Sequence, residues 1–156
     1  MTIDLALYQP DIAQNTGTLL RLGACLGVTV HIIHPTGFPF SRRELKRGGL
    51  DYLDHAEIVE HDSYAHFDGW RQNAARRLVL LTTKSSESAY GYAFLDRDIV
   101  MLGRESAGVP EAVATAADAR IRIPMRAGLR SINVAVAGAM ILGEALRQTN
   151  GYDVLA

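Results

Sequence analysis

Three short stretches in the second half of the chain combine glycine, charge and amide side chains in ways that suit ligand binding: LTTKSS (residues 81–86), LGRESAGVP (102–110) and IPMRAGLRSIN (123–133). In the second, Gly103 and Gly108 permit close backbone approach or positive φ. Arg104 and Glu105 put both signs of charge in the same loop. Taken alone, this stretch reads equally well as a glycine turn with a surface ion pair. In the third, Arg130, Ser131 and Asn133 stand directly before Val134 to Gly143, a run of apolar residues and glycine. Asparagine is a poor helix former. A polar cluster here is therefore either a helix start, with Ser131 as N-cap, or the wall of a binding site.

Each stretch follows a strand-like run: RLVLLTT (77–83), DIVMLG (98–103) and ARIRIP (119–124). IDLALY (3–8), VTVHIIH (28–34) and AEIVEH (56–61) read as earlier strands. Helix-like segments lie between them. NTGTLLRLGACLG has Asn15 or Thr16 near its start and Gly27 just past its end. SRRE (41–44) has the spacing of a capping box, so a short helix over RRELKRG follows. Residues 63–76 carry Trp70 on one face, PEAVATAA has Pro110 suited to the first helical position, and residues 131–149 form a final helix. This alternation predicts an α/β fold with a mainly parallel sheet flanked by helices. Open sheets of this kind bind ligands beyond the carboxyl ends of their strands, so all three loops belong at one end of the molecule.

A chain of 156 residues is most simply one domain, spanning 1–156. Hydrophobic residues make up 48% and charged residues 21%, ordinary for a globular protein with its own core. Sixteen basic against seventeen acidic residues, net −1, argue against a strongly basic nucleic-acid coat but leave room for a local patch. The lone Cys25 has no internal disulfide partner, which fits a cytoplasmic location, and its apolar neighbours Leu22 to Leu26 predict a buried packing residue. The N-terminus shows no targeting pattern, and no run of about 18 apolar residues suggests a membrane span. The turn after the first strand, QPDIAQNTG, lacks the glycines of a dinucleotide fingerprint. The histidines at 31, 34, 55, 61 and 66 show no helical i, i+4 pair beside a carboxylate, so they read as strand or surface residues and no metal site is expected.

Three motifs in fixed order carry a family resemblance. They are IAQNTGTLLR, with Asn15 and Arg21; MLGRESAGVP, with Gly103, Glu105 and Gly108; and IPMRAGLRSINVAVAGAMIL, with Ser131 and Asn133. Together they resemble the SPOUT-class (α/β-knot) RNA methyltransferases. NTGTLLRLGACLG, HIIHPTGFPF, LKRGGLDY and LTTK are further similar to the short TrmL subgroup. That subgroup 2′-O-methylates the wobble nucleotide, position 34, cytidine or modified uridine, of certain leucine tRNAs.

The resemblance implies a C-terminal deep trefoil knot and a homodimer whose active site is completed across the interface. It implies S-adenosylmethionine as methyl donor, S-adenosylhomocysteine as product, and no metal. Cofactor contacts would fall on Leu81, Gly103, Glu105, Ile123, Met125 and Ser131. The catalytic group would be Arg21, Asn15 and Asn133. A guanidinium is effectively always protonated, so Arg21 suits a phosphate beside the ribose better than the role of base. Asn15 would orient Arg21 or the ribose. RNA contact is expected at Arg42, Arg43, Lys46 and Arg47, although such a run can equally be a solvated face. Ala135, Ala137, Gly138, Ala139 and Gly143 would let a partner, or another part of the same chain, approach closely. Val136 and Gly143 stand where enterobacterial relatives have a second Asn and a Tyr. Other RNA positions, a non-catalytic RNA-binding module and a generic small-molecule α/β protein remain as alternatives.

Overall fold

The β-branched and leucine-rich runs become six short parallel strands in the computed structural model, which describes residues 2–47 and 51–156. In chain order the elements are β1 (Asp4–Tyr8), α1 (Ala13–Leu26), β2 (Val30–Ile33), α2 (Arg42–Arg47), β3 (Ile58–His61), α3 (Tyr64–Asn73), β4 (Leu78–Leu81), β5 (Ile99–Leu102), α4 (Glu111–Ala116), β6 (Ala119–Ile121) and α5 (Val134–Gln148). Short 3₁₀ turns cover Asp51–His55 and Ala89–Gly91. The sheet order is β3-β2-β1-β5-β4-β6, with every neighbouring pair parallel. The chain steps outward from β1 to β2 and β3, then resumes on the other side of β1. That reversal of order is where an open sheet leaves a crevice.

The inner strands are buried on both faces, which explains their unbroken apolar runs. Side chains alternate between two cores. Leu5, Leu7, Val30, Ile32, Val100 and Leu102 pack with Leu19 and Leu20 of α1 and Ile141, Leu142 and Leu146 of α5. Ala6, Tyr8, Ile33, Leu78, Leu80, Ile99 and Met101 pack with Phe67 of α3 and Val113 of α4. Each fully buried leucine or isoleucine contributes about 1.5–3 kcal/mol of transfer free energy. Gly138 marks a close crossing of α5 with β5 and α1. A Cβ there would lie 2.7 Å from the Leu102 side chain and 3.0 Å from that of Leu19. At this position the small residue serves packing within the chain.

Three expectations shift. Thr16, Leu19, Leu20 and Gly23 form the buried stripe of α1, and at about 100° per residue Cys25 falls outside it. Cys25 is exposed, contrary to the packing role expected for it. Pro110 occupies the cap position before α4 rather than its first turn. The N-cap of α5 is Asn133, not Ser131. The Asn133 Oδ1 accepts from the N–H of Ala135 at 2.9 Å and of Val136 at 3.2 Å, so the helix begins two residues later than expected. The capping box before α2 forms in part, with Ser41 Oγ accepting from the Glu44 N–H at 3.3 Å.

On the α3 face lies a buried polar chain. Arg76 Nη1 donates to Asp4 Oδ2 at 2.5 Å, the same oxygen lies 3.0 Å from His31 Nε2, and His31 Nδ1 lies 2.9 Å from His61 Nε2. The rings of Phe67 and Trp70 cover it. Among the described residues no helix is long and apolar enough to cross a membrane.

Candidate active site

The loops after β1, β4, β5 and β6 enclose one cleft of about 1070 Å³. Residues 80–84, 102–109 and 130–134 line it, together with Ile12, Asn15, Ile123 and Met125.

The loop after β5 takes its shape from its two glycines. Arg104 and Gly108 exchange backbone hydrogen bonds of 3.1 and 2.8 Å. Gly108 has φ +61°, and a Cβ on Gly103 would stand 2.9 Å from the Gly108 backbone. A side chain at either position forces this turn open. The turn carries Glu105 against the loop after β1. Asp11 N–H donates to Glu105 Oε2 and Glu105 N–H donates to Asp11 Oδ1, both at 3.1 Å. The Ser106 hydroxyl also donates to the Asp11 carboxylate. Burial, then the neighbouring Asp11 carboxylate, push the Glu105 carboxyl up. The hydrogen bond with Glu105 holds Asp11 below the usual carboxylate range. Glu105 thus latches the first and second motif loops together. Asp11, the partner that fixes Glu105, is overlooked by motif reading; its only sequence signal is an acid in the turn after the first strand.

The third motif meets the first through a side-chain pair. Asn133 Nδ2 donates to Asn15 Oδ1 at 3.2 Å, joining the start of α5 to the first turns of α1. Leu81, Gly103, Glu105, Ile123, Met125, Ser131, Asn15 and Asn133 all line the same cleft. Arg21 does not. It lies six residues after Asn15, roughly 120° around the helix. Its guanidinium is exposed and stacks on the Tyr52 ring, 4.3 Å from the centroid.

The α2 cluster is also away from the cleft, and acids already hold part of it. Arg42 donates to the Ile58 carbonyl at 2.8 Å and lies 3.7 Å from Glu60, while Lys46 pairs with Asp54 at 2.8 Å. Arg43 is exposed. The side chain of Arg47 and residues 48–50 of the LKRGGLDY stretch lie outside the described residues. Cations that sequence reading did not assign do line the cleft: Lys84, Arg104, Arg120 and Arg130. Among the described residues no His, Cys, Asp and Glu side chains gather in a group able to hold a metal ion. At the two departures noted above, Val136 is exposed, and the Tyr152 hydroxyl lies 3.4 Å from where a Cβ of Gly143 would stand.

Comparison with known proteins gives the family. Residues 2–143 match the model of the SpoU rRNA Methylase family. The chain belongs to that family. A SpoU relative from Ancylobacter novellus, named tRNA (cytidine(34)-2′-O)-methyltransferase, is 59% identical over 97% of this chain and 96% of its own. A solved structure described as giving structural insights into the 2-OH methylation of C/U34 on tRNA superposes with TM-score 0.88 at 39% identity, covering 96% of this chain and 97% of that one. The SpoU methyltransferase AviRb from Streptomyces viridochromogenes, solved in complex with AdoMet, shares the fold at TM-score 0.81 and 22% identity, covering 94% of this chain and 60% of that one.

Proposed function

We propose that this chain is a one-domain methyltransferase that uses S-adenosylmethionine to methylate the ribose 2′-oxygen of nucleotide 34 of tRNA, with leucine tRNAs as substrates. The observation that carries the reading is the convergence of three separated motif loops on one cleft, in a chain that aligns end to end with a relative named for this activity. The cleft fits the cofactor. Its volume suits a nucleoside-sized ligand, Leu81, Leu102 and Ile123 supply apolar walls, and Ser131 and the irregular loops supply polar groups. S-adenosylmethionine supplies a methyl group already activated on a sulfonium, so no metal is needed. The protein's task is then chiefly alignment, which can account for several kcal/mol of the barrier.

Leu81, Gly103, Ile123, Met125 and Ser131 hold the cofactor, and Glu105 keeps the loop closed through Asp11. Asn15 faces the ribose, and Asn133 holds it there through their side-chain hydrogen bond. Arg21 binds the adjacent phosphate, and it reaches a cleft only from a second copy. A homodimer supplies it. Ile12, Val136 and Met140 expose apolar side chains close to the cleft, and burying them against a partner gives the interface its driving force. The reading includes a deep trefoil knot in the C-terminal third, and phosphate contact at Arg42, Arg43, Lys46 and Arg47.

The test is methylation of purified leucine tRNAs with labelled S-adenosylmethionine, followed by nuclease mapping. The expected product carries the label on the ribose of nucleotide 34. Label at any other nucleotide, or none, overturns the assignment.

A further inference from the structure

The hydrogen bonds around Asn133 determine the polarity of Asn15. A backbone N–H can only donate. The amide atom of Asn133 that meets the N–H groups of Ala135 and Val136 is therefore its oxygen. The other amide atom is the nitrogen, which can only donate. It lies 3.2 Å from Asn15, so the Asn15 atom that receives it is Oδ1. The assignment follows from the backbone donors and needs no choice between amide flips. Asn15 Nδ2 is thus turned away from Asn133. Among the described residues nothing accepts its hydrogens, and the residue lines the cleft.

We infer that Asn15 acts as a hydrogen-bond donor to an acceptor oxygen of the target nucleotide, and that Asn133 is a positioning residue that sets this polarity. The inference rests on the 2′-O-methylation reading above. The relay runs in one direction: the α5 N-terminus donates to Asn133, Asn133 donates to Asn15, and Asn15 donates to the substrate. The acceptor is the ribose 2′-oxygen. Held by an N–H, this oxygen keeps a lone pair free to point at the methyl carbon. The neighbouring phosphate offers the same acceptor chemistry, and the experiment separates the two.

Asn133→Asp is the informative variant. Aspartate caps α5 as well as asparagine does, and its charge suits a helix N-terminus. It has no donor for Asn15, however. The Asn15 amide must turn to donate to it, which presents oxygen to the cleft. The expected result is an unchanged or raised melting temperature with kcat lowered roughly tenfold or more, the cost of one hydrogen bond realised in the transition state. Asn15→Asp, which still accepts from Asn133 but presents oxygen outward, should lose kcat to the same degree. In an Asn15→Leu background, Asn133→Asp should cost no further activity.

A binding measurement complements the kinetics. An anticodon stem–loop with 2′-deoxyribose at nucleotide 34 should bind the wild type more weakly than the all-ribose stem–loop, and Asn15→Leu should erase that difference. A deoxy effect that persists in Asn15→Leu, or a loss confined to KM, moves the acceptor to the phosphate and overturns the 2′-oxygen assignment. Wild-type kcat in Asn133→Asp overturns the relay itself. A wild-type protein that labels no nucleotide 34 overturns the function instead, so the two failures are distinct.

Discussion

Two polar chains tie separate elements of this fold together, and they end differently. On the α3 face, Arg76, Asp4, His31 and His61 form a buried series. A carboxylate only accepts, so His31 Nε2 carries a proton. His31 Nδ1 and His61 Nε2 then share one hydrogen bond of 2.9 Å. Aromatic rings cover the series, and Asp4, His31 and His61 are buried. At the cleft, Asn133 and Asn15 form a shorter series that ends in a donor with no partner among the described residues. Buried polar groups in a core are closed because an unmet one costs about 1–3 kcal/mol. A group left open beside a cleft is held for a ligand. The first series is closed within the fold and the second opens on the cleft, so under the proposed function breaking each should move a different observable.

The largest effect is expected from Asp4→Ala. It leaves Arg76 and His31 without their acceptor in the core and should cost about 3–5 kcal/mol of stability by chemical denaturation, with the specific activity of the folded fraction unchanged. Arg21→Ala should behave in the opposite way. Its guanidinium is exposed on the helix surface, so stability should change by less than about 0.5 kcal/mol. Loss of a charge-assisted phosphate contact should lower kcat/KM roughly thirtyfold to a hundredfold in steady-state kinetics.

A smaller effect separates the two series by pH. Burial, and then the His31 and His66 charges, hold the His61 imidazole down from 6.5 to about 4. The fold favours its neutral form. Its contribution is present in full above pH 6.5 and is lost as pH falls toward 4, on the order of 2 kcal/mol. Denaturation across that range should show the loss, and His61→Gln should flatten it.

The smallest effect concerns α2. Replacing Arg42, Arg43, Lys46 and Arg47 together by alanine should lower the slope of log affinity for tRNA against log salt by only about one to two units. Arg42 and Lys46 are already paired with Glu60 and Asp54. An unchanged slope removes α2 from the RNA surface and points to Lys84 and Arg130 at the cleft mouth.

Most of the fold was legible because its signals are local. Alternating apolar runs, the αL Gly27 after α1 and the Ser41 cap all act within a few residues of themselves. The cleft was legible to the extent that its residues follow strands. Leu81 ends β4, Gly103 follows β5, and Ile123 and Met125 follow β6, and a parallel sheet brings such ends together. Asp11 was missed because its importance lies in Glu105, 94 residues away in the chain. The histidines were read as isolated because no periodicity links β2 to Asp4 and Arg76. The role given to Ser131 at the helix start belongs to Asn133, a competition between two good capping residues that only the path of the loop resolves.

By itself the sequence determined which segments are strands and helices, which loops line the cleft, and where glycine is required. These follow from side-chain period and backbone sterics, which are properties of neighbours. Only the tertiary structure decided what those loops share. It set the direction of the Asn133–Asn15 bond, the latch between Asp11 and Glu105, and the turn of Arg21 away from its own cleft. Each depends on the angle at which one element meets another, and that angle is set by the packing of the two cores.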